Sequence, residues 1–147
     1  MKNVKLKWIF LLFIFLSIKS FAQKPAFDHI SIHVNNLDKS VAFYTEIFKL
    51  DSIPDPFPNY RVTWFKLGEN AQFHVFEDKA NIPKSKYHIC FRVPSLLSFI
   101  KQLSSKGILY FNSSGEEKKI TKRMDGVQQI YFYDPDGHKL EVNDAKF

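Results

Sequence analysis

Five histidines (29, 33, 74, 88 and 138) and Glu141 are the side chains here with the strongest claim to metal chemistry. Their spacing is not random. His29-Ile-Ser-Ile-His-Val34 aligns with His88-Ile-Cys-Phe-Arg-Val93 at an offset of 59 (29 to 88), with His, Ile and Val coinciding. Trp64–Glu77 lies without a gap over Tyr131–Asp144 at an offset of 67 (64 to 131), so His74 falls where Glu141 does. Independent packing residues have no reason to land on equivalent positions of a repeat. His29, His74, His88 and Glu141 together make a donor set for one divalent ion: Zn, Ni, Fe, Mn or Co. With an open coordination position, such an ion acts as a Lewis acid on a substrate oxygen. His138, beside a turn, reads as an ordinary hydrogen-bonded residue. A lone histidine on a strand usually is one.

Each candidate ligand needs an element to aim it. Phe27–Val34 alternates as a strand, with His29, Ser31 and His33 on one face. Asn35 or Asn36 caps a helix running to about Lys49, and Leu37, Val41, Tyr44 and Phe48 mark its apolar side. Pro54, Pro56 and Pro58 make Asp51–Asn59 a loop or an irregular edge. Arg61–Leu67 and Ala71–Glu77 form a hairpin, and Asp78–Lys86 links the halves. In the second half Tyr87–Val93 is a strand that buries Cys90, and Ser95 caps a helix ended by Gly107. Ile108–Phe111 reads as a further strand and Asn112–Lys119 as a polar, mobile loop. The final hairpin begins near Val127, with Asp134-Pro-Asp-Gly137 as its turn and Glu141 on its returning strand. The order is strand, helix, then two or three strands, twice over. That is an α+β pattern in two modules, about 27–80 and 86–144.

The first 22 residues carry a different signal. Lys2, Lys5 and Lys7 precede the apolar run Trp8–Ile18, and Ser20-Phe21-Ala22 places small residues for cleavage before Gln23. This is the three-part pattern of a secretory signal peptide, and eleven apolar residues fall short of the ~20 that span a bilayer. The expectation is an exported protein, periplasmic or secreted, with no stable membrane insertion after cleavage. Residues 23–147 are then one domain.

Charge is read on that basis. The chain has 21 basic and 15 acidic residues, net +6, but four of the lysines (2, 5, 7 and 19) lie in the leader. Removing them leaves 17 basic against 15 acidic side chains, a net +2. No basic stripe interleaved with aromatics appears, so a nucleic-acid partner is not expected. Cys90 is the only cysteine, which excludes an internal disulfide.

The segments Asp28-His-Ile-Ser-Ile-His-Val34, Ser40-Val-Ala-Phe-Tyr44, His88-Ile-Cys-Phe-Arg-Val93 and Tyr131-Phe-Tyr-Asp-Pro-Asp-Gly-His-Lys-Leu-Glu141 resemble the vicinal oxygen chelate superfamily. That group includes glyoxalase I, methylmalonyl-CoA epimerase, extradiol dioxygenases and the fosfomycin and bleomycin resistance proteins. The resemblance implies paired βαβββ modules forming a cupped, barrel-like mixed sheet around one divalent ion, with helices on the outside. It places His29, His88 and Glu141 at the first, third and fourth ligand positions, and His74 at the second. Histidine at that second position departs from the Glu of glyoxalase I and the Gln of the epimerases; members with three ligands need only the other three. It implies coordination of vicinal substrate oxygens, with Glu141, the one carboxylate of the four, as ligand and catalytic base. His33 and Arg92, which share strand faces with the ligands, and Arg123, in the segment before the final hairpin, are candidates to contact an anionic small substrate. Dimers are common in the group, and some members build each site from two chains.

The leading expectation is therefore an exported metal-dependent enzyme, either a glyoxalase-like lyase or isomerase or an extradiol-type dioxygenase. The alternative is a protein of the same fold that binds a small molecule or antibiotic without turnover. A scaffold with no chemistry would have no need of a full donor set.

Overall fold

The computed structural model describes residues 24–78 and 87–146. The expected leader, and all of the linker after Asp78, lie outside the described residues. The first module runs β1 (His29–Val34), α1 (Leu37–Phe48), β2 (Ser52–Ile53), β3 (Val62–Leu67) and β4 (Ala71–Glu77). The second runs β5 (Ile89–Arg92), α2 (Leu96–Ser105), β6 (Thr121–Lys122), β7 (Gln128–Tyr133) and β8 (Lys139–Asn143).

Local chemistry sets the helix ends. Asn36 caps α1 by accepting from the Lys39 amide at 2.9 Å, and Asp38 lies in the first turn, where a negative charge suits the dipole. α1 stops because Lys49 turns left-handed at φ 56°. Ser95 caps α2 in the same way, and Gly107, at φ 67°, ends it as its sequence position predicts.

Each module makes one four-stranded sheet, in the orders β1-β4-β3-β2 and β5-β8-β7-β6. β1 pairs with β4, and β5 with β8, in parallel; the remaining pairs are antiparallel. The two βαβββ-like modules are as expected, but the barrel-like closure is not. Among the described residues the sheets are separate and open, and no strand ladder joins one to the other. β2 and β6 are two-residue edges, and three prolines follow β2, so those edges offer little backbone for further pairing.

Two further expectations change. Ile108–Phe111 is not a strand: only Phe111 makes bridges, to Glu117 and Tyr131. The Asn112 side chain instead accepts from the Ser114 and Glu116 amides and folds the chain into a turn. Cys90 is exposed on β5, not buried, because the alternation of that strand puts Ile89 and Phe91 on the inner face.

Both sheets give their other face to one shared core. Val34, Phe65, Phe73 and Val75 of the first meet Ile130, Phe132, Leu140 and Val142 of the second, with Tyr44 and Ile47 of α1 and Leu96, Phe99 and Leu103 of α2. Phe48 of α1 stacks on Phe91 at 4.1 Å and lies near Phe99 and Phe132. Gln102 of α2 donates to the carbonyls of Glu46 and Ile47, and Lys106 pairs with Glu46.

The buried polar bond in this seam is Tyr44 Oη donating to Asp134 Oδ2 at 2.7 Å. Burial pushes the Asp134 carboxyl up, and the donors from Tyr44, His138 and Asp136 partly offset it. Tyr44→Phe leaves this carboxylate one donor short. The expected loss is about 1–3 kcal/mol, read as a lower urea midpoint at neutral pH with an unchanged slope.

Candidate metal centre

The polar face of the first sheet carries a row of rings. Register pairs Trp64 with His74 on β4, and His74 with Ser31 on β1. His74 stacks on Trp64 at 4.0 Å and 9°, and His29 stacks on His74 at 4.5 Å and 16°. His74 Nε2 lies 2.8 Å from Gln72 Oε1. Burial, and then the neighbouring His29, hold the His74 ring below the usual histidine range. His29 Nδ1 lies 2.6 Å from Asp28 Oδ2. A proton on Nδ1 shared with that carboxylate leaves Nε2 as a donor for a cation.

The second half is built from hydrogen bonds. Glu141 is buried on β8, opposite Cys90 on β5 and Tyr131 on β7. Its Oε1 accepts from Asn143 Nδ2 at 3.2 Å and from Cys90 Sγ at 3.4 Å. Tyr131 also donates to the carboxylate, and Gln129 Nε2 donates to the Tyr131 oxygen at 2.7 Å. Burial raises the Glu141 pKa, but the bonds from Tyr131, Asn143 and Cys90, with His88 nearby, outweigh it and leave the group below its ordinary value. Burial, and then closeness to Glu141, push Tyr131 and Cys90 up to about 12 each, so both stay protonated donors at neutral pH.

His88 Nε2 stands 3.0 Å from Glu141 Oε2. Two donors bound at about 2.1 Å to one ion, roughly at a right angle, are separated by that distance. This pair fits one side of a divalent ion.

The four expected ligands therefore fall into two pairs, His29 with His74 and His88 with Glu141. No group of three or more His, Cys, Asp or Glu among the described residues could hold an ion within one chain. Of the expected substrate contacts, Arg123 pairs with Asp125 at 2.5 Å, yet its charge reaches Cys90 and Tyr131. Arg92 is exposed on β5, two residues beyond Cys90. His33 sits 3.5 Å from Asp78, and its carbonyl oxygen is 2.8 Å from His138 Nε2.

Sequence reasoning missed Tyr131, Asn143 and Gln129 around Glu141, and Trp64 beside His74. A signal for them existed. Asn143 follows from Glu141, and Gln129 from Tyr131, by the strand period of two, and the 67-residue offset that maps His74 on Glu141 also maps Trp64 on Tyr131.

The sequence matches the family described as the Glyoxalase/Bleomycin resistance protein/Dioxygenase superfamily over residues 26–142, and the chain belongs to that superfamily. It is 30% identical over 122 residues to the metallothiol transferase FosB of Shouchella clausii, covering 79% of this chain and 77% of that protein. FosB of Staphylococcus haemolyticus is 29% identical over 126 residues, covering 79% and 81%. Among solved structures, a glyoxalase family protein of Bacillus anthracis has a TM-score of 0.70 at 23% identity, covering 84% of this chain and 98% of its own. A variant of the fosfomycin resistance protein FosX of Listeria monocytogenes, solved with Mn(II) and 1S,2S-dihydroxypropylphosphonic acid, has a TM-score of 0.69 at 22% identity, covering 85% and 95%. At these identities the two structures speak for the fold.

Glu141 contributes stability above its unfolded pKa, and that contribution is lost as pH falls through its lower folded value. Tyr131→Phe removes one donor and lifts the folded pKa. The variant should be roughly 1–2 kcal/mol less stable at neutral pH, with the deficit narrowing in acid; circular dichroism at several pH values checks this.

Proposed function

We propose that the chain is a metal-dependent enzyme acting on a small oxygen-bearing substrate, with each site assembled from two copies. His29 comes from one copy, and His88 and Glu141 from the other. The observation that carries this reading is the separation itself: His29 is held by Asp28, His88 stands beside Glu141, and among the described residues of one chain the two halves do not come together. A divalent ion there would supply Lewis acidity toward adjacent substrate oxygens.

The chain's own residues prepare that chemistry. Asp28 engages His29 Nδ1, which leaves Nε2 as the nitrogen for a cation. Tyr131, Asn143 and Cys90 hold Glu141 ionised and fixed, which suits a permanent ligand better than a base that swings away. Arg123, Arg92 and His33 are the groups we assign to an anionic substrate. The FosB relatives are metallothiol transferases, which favours addition of a nucleophile to a small electrophile over dioxygenase chemistry. The leader pattern favours action outside the cytoplasm.

Metal analysis of the purified protein tests the site. The parent should hold about one ion per chain, and His29→Ala and Glu141→Ala should each hold almost none. A refolded mixture of those two variants should recover ion, because each mixed dimer contains one intact His29–His88–Glu141 set. A mixture that stays metal-free, while the parent binds, sinks the two-chain arrangement. A parent that binds a small ligand but neither metal nor turns anything over supports the binding-protein alternative.

A further inference from the structure

We propose that His74 is a positioning residue that holds the His29 ring from behind through the His29–His74–Trp64 stack, and is not a fourth donor to the ion. This rests on the metal site proposed above. An imidazole binds a cation in the plane of its ring, about 2.0–2.1 Å from nitrogen. The His29 and His74 planes lie face to face, only 16° from parallel, with centroids 4.5 Å apart. Planes so nearly parallel converge far beyond that bond length, so one ion cannot lie in both. His74 also has Nε2 engaged by Gln72 Oε1.

What the ring does have is two covered faces. Trp64 lies flat on one at 4.0 Å and His29 on the other, and His74 is only 6% exposed while the His29 side chain is 45% exposed. Ser31, opposite His74 in the register, is small enough to leave room for His29 to lean across from two residues earlier. Trp64 keeps its Nε1–H buried with no hydrogen-bond partner among the described residues. An indole held that way serves through its face, because its polar atom is left unsatisfied. Phe57 meets the Trp64 ring at 6.0 Å and 65°, bracing the far end. The stack then fixes the plane of His29, and Asp28 fixes its tautomer.

Two substitutions at one position separate the roles. His74→Phe keeps a flat ring and has no donor atom; His74→Gln keeps a donor and has no ring. Zn²⁺ affinity is measured by calorimetry on the full chain carrying Trp8→Phe, which leaves Trp64 as the only tryptophan. Glu141→Ala in the same background reports adventitious binding. The expected result is near-parental affinity for His74→Phe and a loss of about ten- to hundredfold for His74→Gln. Trp64→Leu should lose affinity likewise, although it offers the ion nothing, and Trp64→Phe should keep it. Trp64 fluorescence should respond to Zn²⁺ in the parent and in His74→Phe. The reverse order, with Gln retaining Zn²⁺ and Phe losing it, makes His74 a ligand and overturns the proposal. So does parental affinity in Trp64→Leu, a result that stands even if His74→Phe proves unfolded by thermal melting. A parent no tighter than Glu141→Ala refutes the underlying metal site instead.

Discussion

The docking of the Asp134–Gly137 turn on the start of α1 is the contact on which the rest of the structure depends. Two open sheets with no shared ladder need something directional to set their relation, since apolar burial alone is non-directional. The turn supplies it. Asp134 takes the Tyr44 hydroxyl, and Asp136 takes the Asn35 amide at 2.7 Å and the Ser40 hydroxyl at 2.6 Å. Gly137 closes the turn at φ 90°, a conformation a side chain would strain. Two of the strands that carry candidate ligands meet at this point: β1 ends at Val34, between the His33 carbonyl and the Asn35 amide that the turn engages, and β8 begins just after His138. The apolar faces are thereby pinned toward each other and the ligand faces turned away.

That orientation accounts for the sheets staying open and separate among the described residues. A sheet buries one face against helices, and the helices here lie in the seam shared by the two modules. The polar faces, with His29 on one and Glu141 on the other, are left to look outward. The proposed metal site then needs a second polar face opposite the first, and another copy of the chain would carry the residues for it.

Much of this was legible in the sequence. The two modules, the helix caps at Asn36 and Ser95, and the turn before Glu141 all rest on short-range chemistry that a few residues determine. The convergence expected of His29, His74, His88 and Glu141 is seen only as two pairs, His29 with His74 and His88 with Glu141, because a repeat tells which strand positions are equivalent and not how the two sheets face each other. The sheet closure and the Ile108–Phe111 strand were not legible. Closure depends on how two apolar faces meet, which strand periodicity does not encode. Four β-forming residues become a strand only when a partner edge is available, and the Asn112 turn diverts that segment first. Cys90 was misplaced for a simpler reason: cysteine is by type among the most buried residues, but the alternation of β5 puts it on the outer face with Arg92, opposite Ile89 and Phe91.

The repeat also shows one position solved by two kinds of physics. His74 and Glu141 are equivalent, and so are Trp64 and Tyr131. In the first sheet, flat rings lie on flat rings, and position is held by dispersion and ring electrostatics. In the second, a carboxylate is gripped by hydroxyl, amide and thiol donors, and Lys139 sits 4.3 Å over the Tyr131 ring. The difference follows from charge. A carboxylate buried without donors is costly, so its neighbours must be polar; a buried imidazole with one hydrogen bond can be stacked. The net result is one half that offers an oriented nitrogen and another that offers a fixed negative charge. Those are complementary donors for the cation of the proposed site.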